Sequence, residues 1–135
     1  HVSKQSDLDI DVEDSANIIL GFKSNDGREL TVSLNMDFIR HDTIRKCFVI
    51  GEQGTLLWNG ISGKVEYFAK GGKDWETILS SSPNRDYTYT EEIKAFFSSI
   101  ESNEPPCISG DDGMQVVTIV EAIKKSSSID SIVYL

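Results

Sequence analysis

Residues 29–58, ELTVSLNMDFIRHDTIRKCFVIGEQGTLLW, constrain the fold more than any other stretch, because they contain three strand-like runs in succession. In the first run apolar and polar side chains alternate, which is the period of a strand with one packed face and one solvated face. The apolar positions are Leu30, Val32, Leu34, Met36 and Phe38, and the polar positions are Thr31, Ser33, Asn35 and Asp37. The centre of the chain is therefore predicted to be a sheet.

Turn signals place further strands around this centre. Residues 17–23 form an alternating run that leads to Asp26-Gly27, a strong hairpin signal, so this run is expected to pair antiparallel with residues 29–38. Glycine-bounded residues 51–54 join residues 45–50 to residues 55–58 and predict a second hairpin. Further strands are expected at residues 64–69, 75–79 and 132–134.

The apolar period changes to that of a helix after residue 88. The first helical stripe consists of Tyr89, Ile93, Phe96, Phe97 and Ile100. We expect Thr88 or Thr90 to cap this helix and the prolines within residues 103–106 to end it. Trp58, Trp75, Phe96 and Phe97 are interpreted as core or interface anchors.

A second helix is predicted after Ser109, which lies three residues before Asp112 as in a capping box. Lys124 and Lys125 are expected at its C-terminal end, where the helix dipole favours cations. Its predicted apolar stripe consists of Met114, Val117, Val120 and Ile123.

Together these elements predict an α+β fold. The expected architecture is an open, mainly antiparallel (mixed) β-sheet of about six or more strands, with two C-terminal helices packed on one face. A chain of 135 residues can bury one core of ordinary size, so residues 1–135 are expected to form a single domain. The chain begins with His1 rather than Met, and we expect it to be a piece of a longer protein.

Composition excludes several classes of function. The net charge of −9 disfavours binding to nucleic acid or to an anionic membrane, since both require a basic surface. No apolar run is long enough to cross a bilayer, and no signal peptide is recognisable. Cys47 and Cys107 lack a metal-ligand spacing and are too few for a disulfide scaffold, which favours a cytoplasmic location.

Two motif-like stretches have ordinary explanations. The acidic residues 7–14 begin like a calcium loop, but Val12 stands where such a loop requires Gly and Ile18 where it requires Glu. We therefore expect a solvated loop or sheet edge and no metal site. Residues 51–54 and 71–72 are glycine-containing turns between strands, without the following helix that a phosphate-binding loop requires, so no cofactor site is expected in this chain.

The polar side chains of the first central strand are the candidate site. Asn35 and Asp37 lie on the same strand face and can meet one polar ligand, and Arg40 could pair with a carboxylate or phosphate. The alternatives are a solvated sheet face or a polar subunit interface. His41 has no recognisable partner, so a solvated surface role is favoured for it and no catalytic residue is expected.

The ordered set of motifs resembles the C-terminal domain of the Gfo/Idh/MocA family, whose members include glucose-fructose oxidoreductase and inositol dehydrogenase. The matching pieces are Asp14-Ser-Ala leading into a strand, residues 34–58, Tyr89-Thr-Glu-Glu-Ile-Lys-Ala-Phe-Phe, and SGDDGMQVVTIVEAIKKSS near the C-terminus. The resemblance covers nearly the whole chain in the right order.

The resemblance implies an oxidoreductase that uses NAD or NADP and acts on a sugar or sugar derivative. It further implies a cofactor-binding Rossmann domain, a Glu-Lys-Pro motif and a catalytic histidine motif that precede this segment, so the fragment alone is expected to be inactive. In this interpretation Asn35, Asp37, Arg40 and Arg45 orient the substrate, and a sheet face pairs with a second subunit to form a homo-oligomer. The alternative is a stand-alone protein-interaction module that uses the polar face of its sheet.

Overall fold

A computed structural model describes residues 1–82 and 85–135 of the chain. Within them the chain forms seven strands followed by two helices, which confirms the predicted α+β class. The strands are β1 (Val2–Ser3), β2 (Ser15–Lys23), β3 (Glu29–Asp37), β4 (Lys46–Gly51), β5 (Gly54–Asn59), β6 (Lys64–Ala69) and β7 (Glu76–Ser80), and the helices are α1 (Arg85–Ser102) and α2 (Gly110–Ile129).

The strands form two hydrogen-bonded sheets, which corrects the expectation of one open, partly mixed sheet. The first sheet has the order β1-β2-β3, the second has the order β4-β5-β6-β7, and every strand pairing is antiparallel. The break falls between β3 and β4, where the chain lacks a hairpin turn. Instead, the backbone amide of Arg40 donates to the Asp37 carboxylate at 2.8 Å, a local turn that ends β3 without returning the chain for another strand.

The chain divides into two compact units, and each is described by itself. The first unit contains His1–His41 and Ile108–Leu135, and therefore β1, β2, β3 and α2. The second unit contains Asp42–Cys107, and therefore β4 to β7 and α1. A single domain over residues 1–135, with both helices packed on one face of the sheet, stays a prediction.

The β2–β3 hairpin gives the first sheet two chemically different faces. Directly opposed residues of antiparallel strands share a face, and Ile18 opposes Leu34 while Asn17 opposes Asn35. Ile18 is 8% exposed and is the most buried apolar side chain of the described residues. The predicted pairing and the alternation of apolar and polar side chains are therefore confirmed. The expected packing of the apolar face is not, since Leu30, Leu34 and Met36 are exposed. The short strand β1 was not predicted, because a run of two residues is too short to show an alternation of apolar and polar side chains.

Helix α2 begins as the sequence predicts. The Ser109 hydroxyl accepts from the Asp112 amide at 3.2 Å, and the Asp112 carboxylate accepts from the Ser109 amide at 2.7 Å, which completes a capping box. The helix continues past Lys124 to Ile129, so the predicted C-terminal position of the lysines is wrong. Lys124 instead forms an ion pair with Glu13 at 3.4 Å.

The less exposed face of α2 differs from the predicted stripe. Its half-buried residues recur at helical spacing, and of the predicted stripe only Ile123 is among them. The Ser127 hydroxyl accepts from the Val2 amide at 2.9 Å, so this face adjoins β1. Met114, Val117 and Val120 are exposed. The half-buried positions are Ile119, Ala122, Ile123, Ser126 and Ser127.

Helix α1 begins earlier than predicted, so Thr88 and Thr90 lie inside it and are not its caps. Its end was predicted correctly. Asn103 adopts a left-handed conformation with φ of 55°, and the amide of Glu104 donates to the Ser99 carbonyl at 3.2 Å, as in a Schellman motif.

The predicted strand at residues 132–134 is wrong. The chain after α2 has no regular secondary structure, and Ile132 and Tyr134 are exposed. Asp130, in a left-handed conformation, ends α2 and turns the chain, so that the Ser131 amide donates back to the Ser126 carbonyl at 3.2 Å.

In the second sheet, β4 to β7 form a meander with apolar side chains on both faces. Val49, Leu56 and Tyr67 oppose one another across three strands, while Ile50 lies on the other face. Val49 and Ile50 are 58% and 83% exposed. Trp58, Trp75, Phe96 and Phe97 are also largely exposed, so they are not core residues of this chain.

The β4–β5 hairpin generates a first prediction, because Gly54 has a φ of +155° and a Cβ there would lie 2.3 Å from the Phe68 carbonyl oxygen. Gly54→Ala is expected to lower the free energy of unfolding by about 2–4 kcal/mol, through backbone strain and overpacking. Urea unfolding followed by tryptophan fluorescence measures this loss.

Gly51→Ala is the matched control in the same hairpin. A Cβ at Gly51 would have its nearest contact at 3.7 Å, which is an ordinary van der Waals distance. This variant should stay within about 1 kcal/mol of the parent. Equal losses for the two variants would contradict the described hairpin.

Candidate functional site

The first unit contains a surface cavity of about 510 Å³ at the end of β3. Its volume lies within the roughly 300–1,000 Å³ of small-molecule sites, but it is more open to solvent than the enclosed clefts of that class. One wall comes from the segment before β2 and the other from the segment after β3. Its lining residues are Ser6, Asp7, Leu8, Phe38, Ile39, Arg40 and His41.

Asp37 and Arg40 form the polar centre of this region. Asp37 is the last residue of β3 and its side chain is 15% exposed, whereas the Arg40 side chain is 40% exposed and lines the cavity. The Arg40 Nε lies 3.7 Å from Asp37 Oδ2, and the Arg40 backbone amide donates to Oδ1 at 2.8 Å. One carboxylate therefore orients both the backbone and the side chain of Arg40.

Asn35 shares the polar face of β3 with Asp37 but does not line the cavity. Its amide nitrogen donates to the Asn17 side-chain oxygen at 2.7 Å, across the β2–β3 pair. The side chain is exposed, so it is accessible to a ligand above this face. The structure thus places Asn35 on the same strand face as Asp37, as alternation along β3 predicts.

Arg45 lies in the second unit, whereas the other three predicted site residues lie in the first. Its guanidinium carbon is 5.3 Å from the centroid of the Trp58 ring, a cation–π arrangement. The Gly60 amide donates to the Arg45 carbonyl at 2.8 Å and holds the residue beside β5. The Arg45 side chain thus packs on Trp58 within the second unit, which is a structural role.

Asp14 is the buried charge of the first unit, with 1% of its surface exposed. Its carboxylate accepts from the Gln5 amide at 2.7 Å, the Ser6 amide at 2.9 Å and the Ser6 hydroxyl at 2.5 Å. The acidic residues 7–14 do form a loop, but this last member is not solvated as predicted. A buried carboxylate requires such donors, since its desolvation is costly without them.

The hydrogen bond from the Ser6 hydroxyl holds the pKa of Asp14 below its ordinary value of 3.8. Burial acts in the opposite direction, and the backbone donors of Gln5 and Ser6 lower the pKa further. Because the folded-state pKa is depressed, ionised Asp14 stabilises the fold above its ordinary pKa. This contribution is lost as the pH falls through the lowered folded-state value.

Sequence reasoning missed one wall of the cavity. Ser6, Asp7 and Leu8 belong to an irregular segment whose position depends on Asp14, and no periodic signal marks them. His41, interpreted as a solvated surface residue, lines the opposite wall.

The cavity combines donors, acceptors and apolar surface, which suits a polar organic ligand. Across residues 1–82 and 85–135, no three His, Cys, Asp or Glu side chains lie together in a metal-binding arrangement. Over the same residues, neither helix is long and apolar enough to span a membrane.

Comparison with known proteins adds to this geometry. Myo-inositol 2-dehydrogenase of Thermotoga maritima is 44% identical over 39 residues, which span 29% of this chain and 12% of that protein. No solved structure matches the chain significantly. A family profile described as the oxidoreductase family, C-terminal alpha/beta domain, matches residues 2–135. The chain therefore belongs to the Gfo/Idh/MocA oxidoreductase family and represents its C-terminal alpha/beta domain.

Proposed function

We propose that this chain is the substrate-binding and oligomerisation domain of an NAD(P)-dependent oxidoreductase that acts on a sugar or sugar derivative. The observation that carries the proposal is the small-molecule-sized cavity lined by Arg40, whose guanidinium is oriented by Asp37. Family membership supports the class of reaction, and the relative's name, myo-inositol 2-dehydrogenase, supports a polyhydroxylated substrate.

The chemistry of the cavity suits a ring that carries several hydroxyl groups. A guanidinium donates several hydrogen bonds in fixed directions, and a carboxylate accepts them, so Arg40 and Asp7, which both line the cavity, can together contact adjacent hydroxyls. Phe38 and Ile39 provide apolar surface for the carbon face of the ring. Asn35 extends the polar surface along β3.

In this proposal the redox chemistry belongs to an N-terminal Rossmann domain of the same protein. NAD or NADP bound there exchanges a hydride with a substrate carbinol, while this domain binds and orients the substrate. The N-terminus of α2 disfavours a pyrophosphate, because it already holds the Asp112 carboxylate, which accepts from the Ser109 amide and hydroxyl. The two free and exposed cysteines support a cytoplasmic location.

Arg40→Ala in the full-length oxidoreductase is expected to lower kcat/KM for its sugar substrate about 10- to 100-fold, the loss of one or two charge-assisted hydrogen bonds. The KM for the nicotinamide cofactor should stay unchanged. Steady-state kinetics with each substrate varied in turn measures both quantities.

The matched control is Arg28→Ala, which removes the other Asp–Arg pair of the first unit. Arg28 Nε lies 2.7 Å from Asp26 Oδ2 in the β2–β3 turn, at the opposite end of the hairpin from Asp37. Kinetic constants of this variant should equal those of the parent. A loss of sugar affinity in both variants, or in neither, would refute the assignment of the cavity.

The proposed division, with cofactor binding in the Rossmann domain and substrate binding in this chain, leads to a separate prediction. The isolated 135-residue chain should show no binding of NAD or NADP at micromolar concentration by isothermal titration calorimetry, because within residues 1–82 and 85–135 no glycine-containing turn leads from a strand into a helix. The full-length protein is the positive control. Micromolar binding to the isolated chain would show that the proposed division is wrong.

We also propose that the homo-oligomer forms through a sheet face. The face of the second sheet that contains Val49, Leu56 and Tyr67 also contains Trp58 and Leu79, so it combines aliphatic and aromatic contact area. Aromatic residues are enriched at the centres of protein interfaces. A second copy that presents the same face would bury these side chains against each other.

Val49→Lys is expected to shift the full-length protein towards monomer in sedimentation velocity, because a lysine on this face would lose its hydration in the interface. Ile50→Lys is the control, since Ile50 is the next residue on the opposite face and is even more exposed. Dissociation by Ile50→Lys alone would assign the interface to the other face.

A further inference from the structure

The two walls of the cavity belong to segments that are far apart in sequence and share no strand pairing. Ser6, Asp7 and Leu8 form one wall, and residues 38–41 form the other. The first wall has no regular secondary structure, so its backbone position must come from another source. Asp14 is the residue that contacts both segments.

The side chain of Asp14 fixes the first wall. Its carboxylate accepts from the Ser6 amide and hydroxyl, and the Ser6 hydroxyl in turn accepts from the Leu8 amide at 3.2 Å. The Gln5 amide donates to the other carboxylate oxygen at 2.7 Å. The chain from Gln5 to Leu8 is therefore held by one buried carboxylate, partly through the Ser6 hydroxyl.

The backbone of Asp14 fixes the second wall. Its carbonyl accepts from the Phe38 amide at 2.9 Å, and its amide donates to the Ser3 carbonyl at 3.1 Å. The next residue, Ser15, opposes Asp37, which orients Arg40. A single buried residue thus connects the irregular wall to the wall that contains Arg40.

We propose that Asp14 is a positioning residue that sets the spacing of the two cavity walls and thereby the affinity for the substrate. This inference rests on the proposed function of the cavity. Asp14 itself does not line the cavity, so it acts through Ser6 and Phe38 and has no direct contact with the substrate.

The test uses Asp14→Asn in the full-length oxidoreductase. Asparagine has nearly the same volume, but its NH2 group would face amide donors at one carboxylate position, so the bonds to Gln5 and Ser6 cannot all form. KM for the sugar substrate should rise about tenfold, because a small displacement of a binding wall is costly, while kcat and the KM for the cofactor change little.

Asp112→Asn is the matched control for loss of stability. Asp112 is another carboxylate of the first unit that accepts from a backbone amide and a serine hydroxyl, but it caps α2 and does not contact the cavity. This variant should lower the unfolding temperature and leave both KM values unchanged. A similar rise in sugar KM for Asp112→Asn would mean that loss of stability alone raises the KM. The role of Asp14 would then be purely structural, and the inference would be overturned.

Hydrogen exchange of the full-length protein provides a readout that needs no substrate. The amides of Gln5 and Ser6 should exchange slowly in the parent and much faster in Asp14→Asn. Unchanged protection would overturn the inference. If Asp14→Asn does not fold, Asp14→Glu replaces it, because this variant keeps the charge and displaces the oxygens by one methylene group. An intermediate rise in sugar KM is then expected, and parental kinetics would overturn the inference.

The outcomes separate this inference from the proposed function. If Arg40→Ala raises the sugar KM and Asp14→Asn does not, the cavity binds substrate but Asp14 does not position it. If exchange accelerates in Asp14→Asn and neither variant changes the sugar KM, the cavity is not the substrate site and both proposals fail.

Discussion

The antiparallel register between β2 and β3 is the constraint on which the first unit depends. It places Ile18 opposite Leu34 on one face and Asn17 opposite Asn35 on the other. A slip of one residue would exchange the two faces, because strand side chains alternate with a period of two. The same register brings Ser15 beside Asp37, and so connects the start of β2 to the end of β3 where the cavity lies.

Asp14 extends this order beyond the strands. The residues before β2 have no helix and only the two-residue strand β1, so their backbone groups need other partners. The desolvated carboxylate accepts hydrogen bonds from Gln5 and Ser6, which compensate the cost of its burial. An irregular segment thereby acquires a defined position without forming secondary structure of its own.

Patterns with a local cause were predicted well. Alternation and the Asp26-Gly27 turn predict the β2–β3 hairpin, and the spacing of Ser109 and Asp112 predicts the start of α2, since each depends on residues close in sequence. Features that depend on distant partners were not predicted. The half-buried face of α2 is set by its contact with β1, and the division into two sheets depends on which strands pair with one another.

The candidate site also combines features that the sequence predicts with features that only the tertiary structure shows. From the sequence alone, Asn35 and Asp37 share a strand face and Arg40 follows them closely, because geometry along one strand is regular. Only the tertiary structure identified Asp14, among the acids at positions 7, 9, 11, 13 and 14, as the buried one, and only it placed Ser6 to Leu8 opposite Arg40. These five carboxylates cannot be distinguished by composition. Burial of Asp14 is favourable because Gln5 and Ser6 supply hydrogen-bond donors to it in the folded chain.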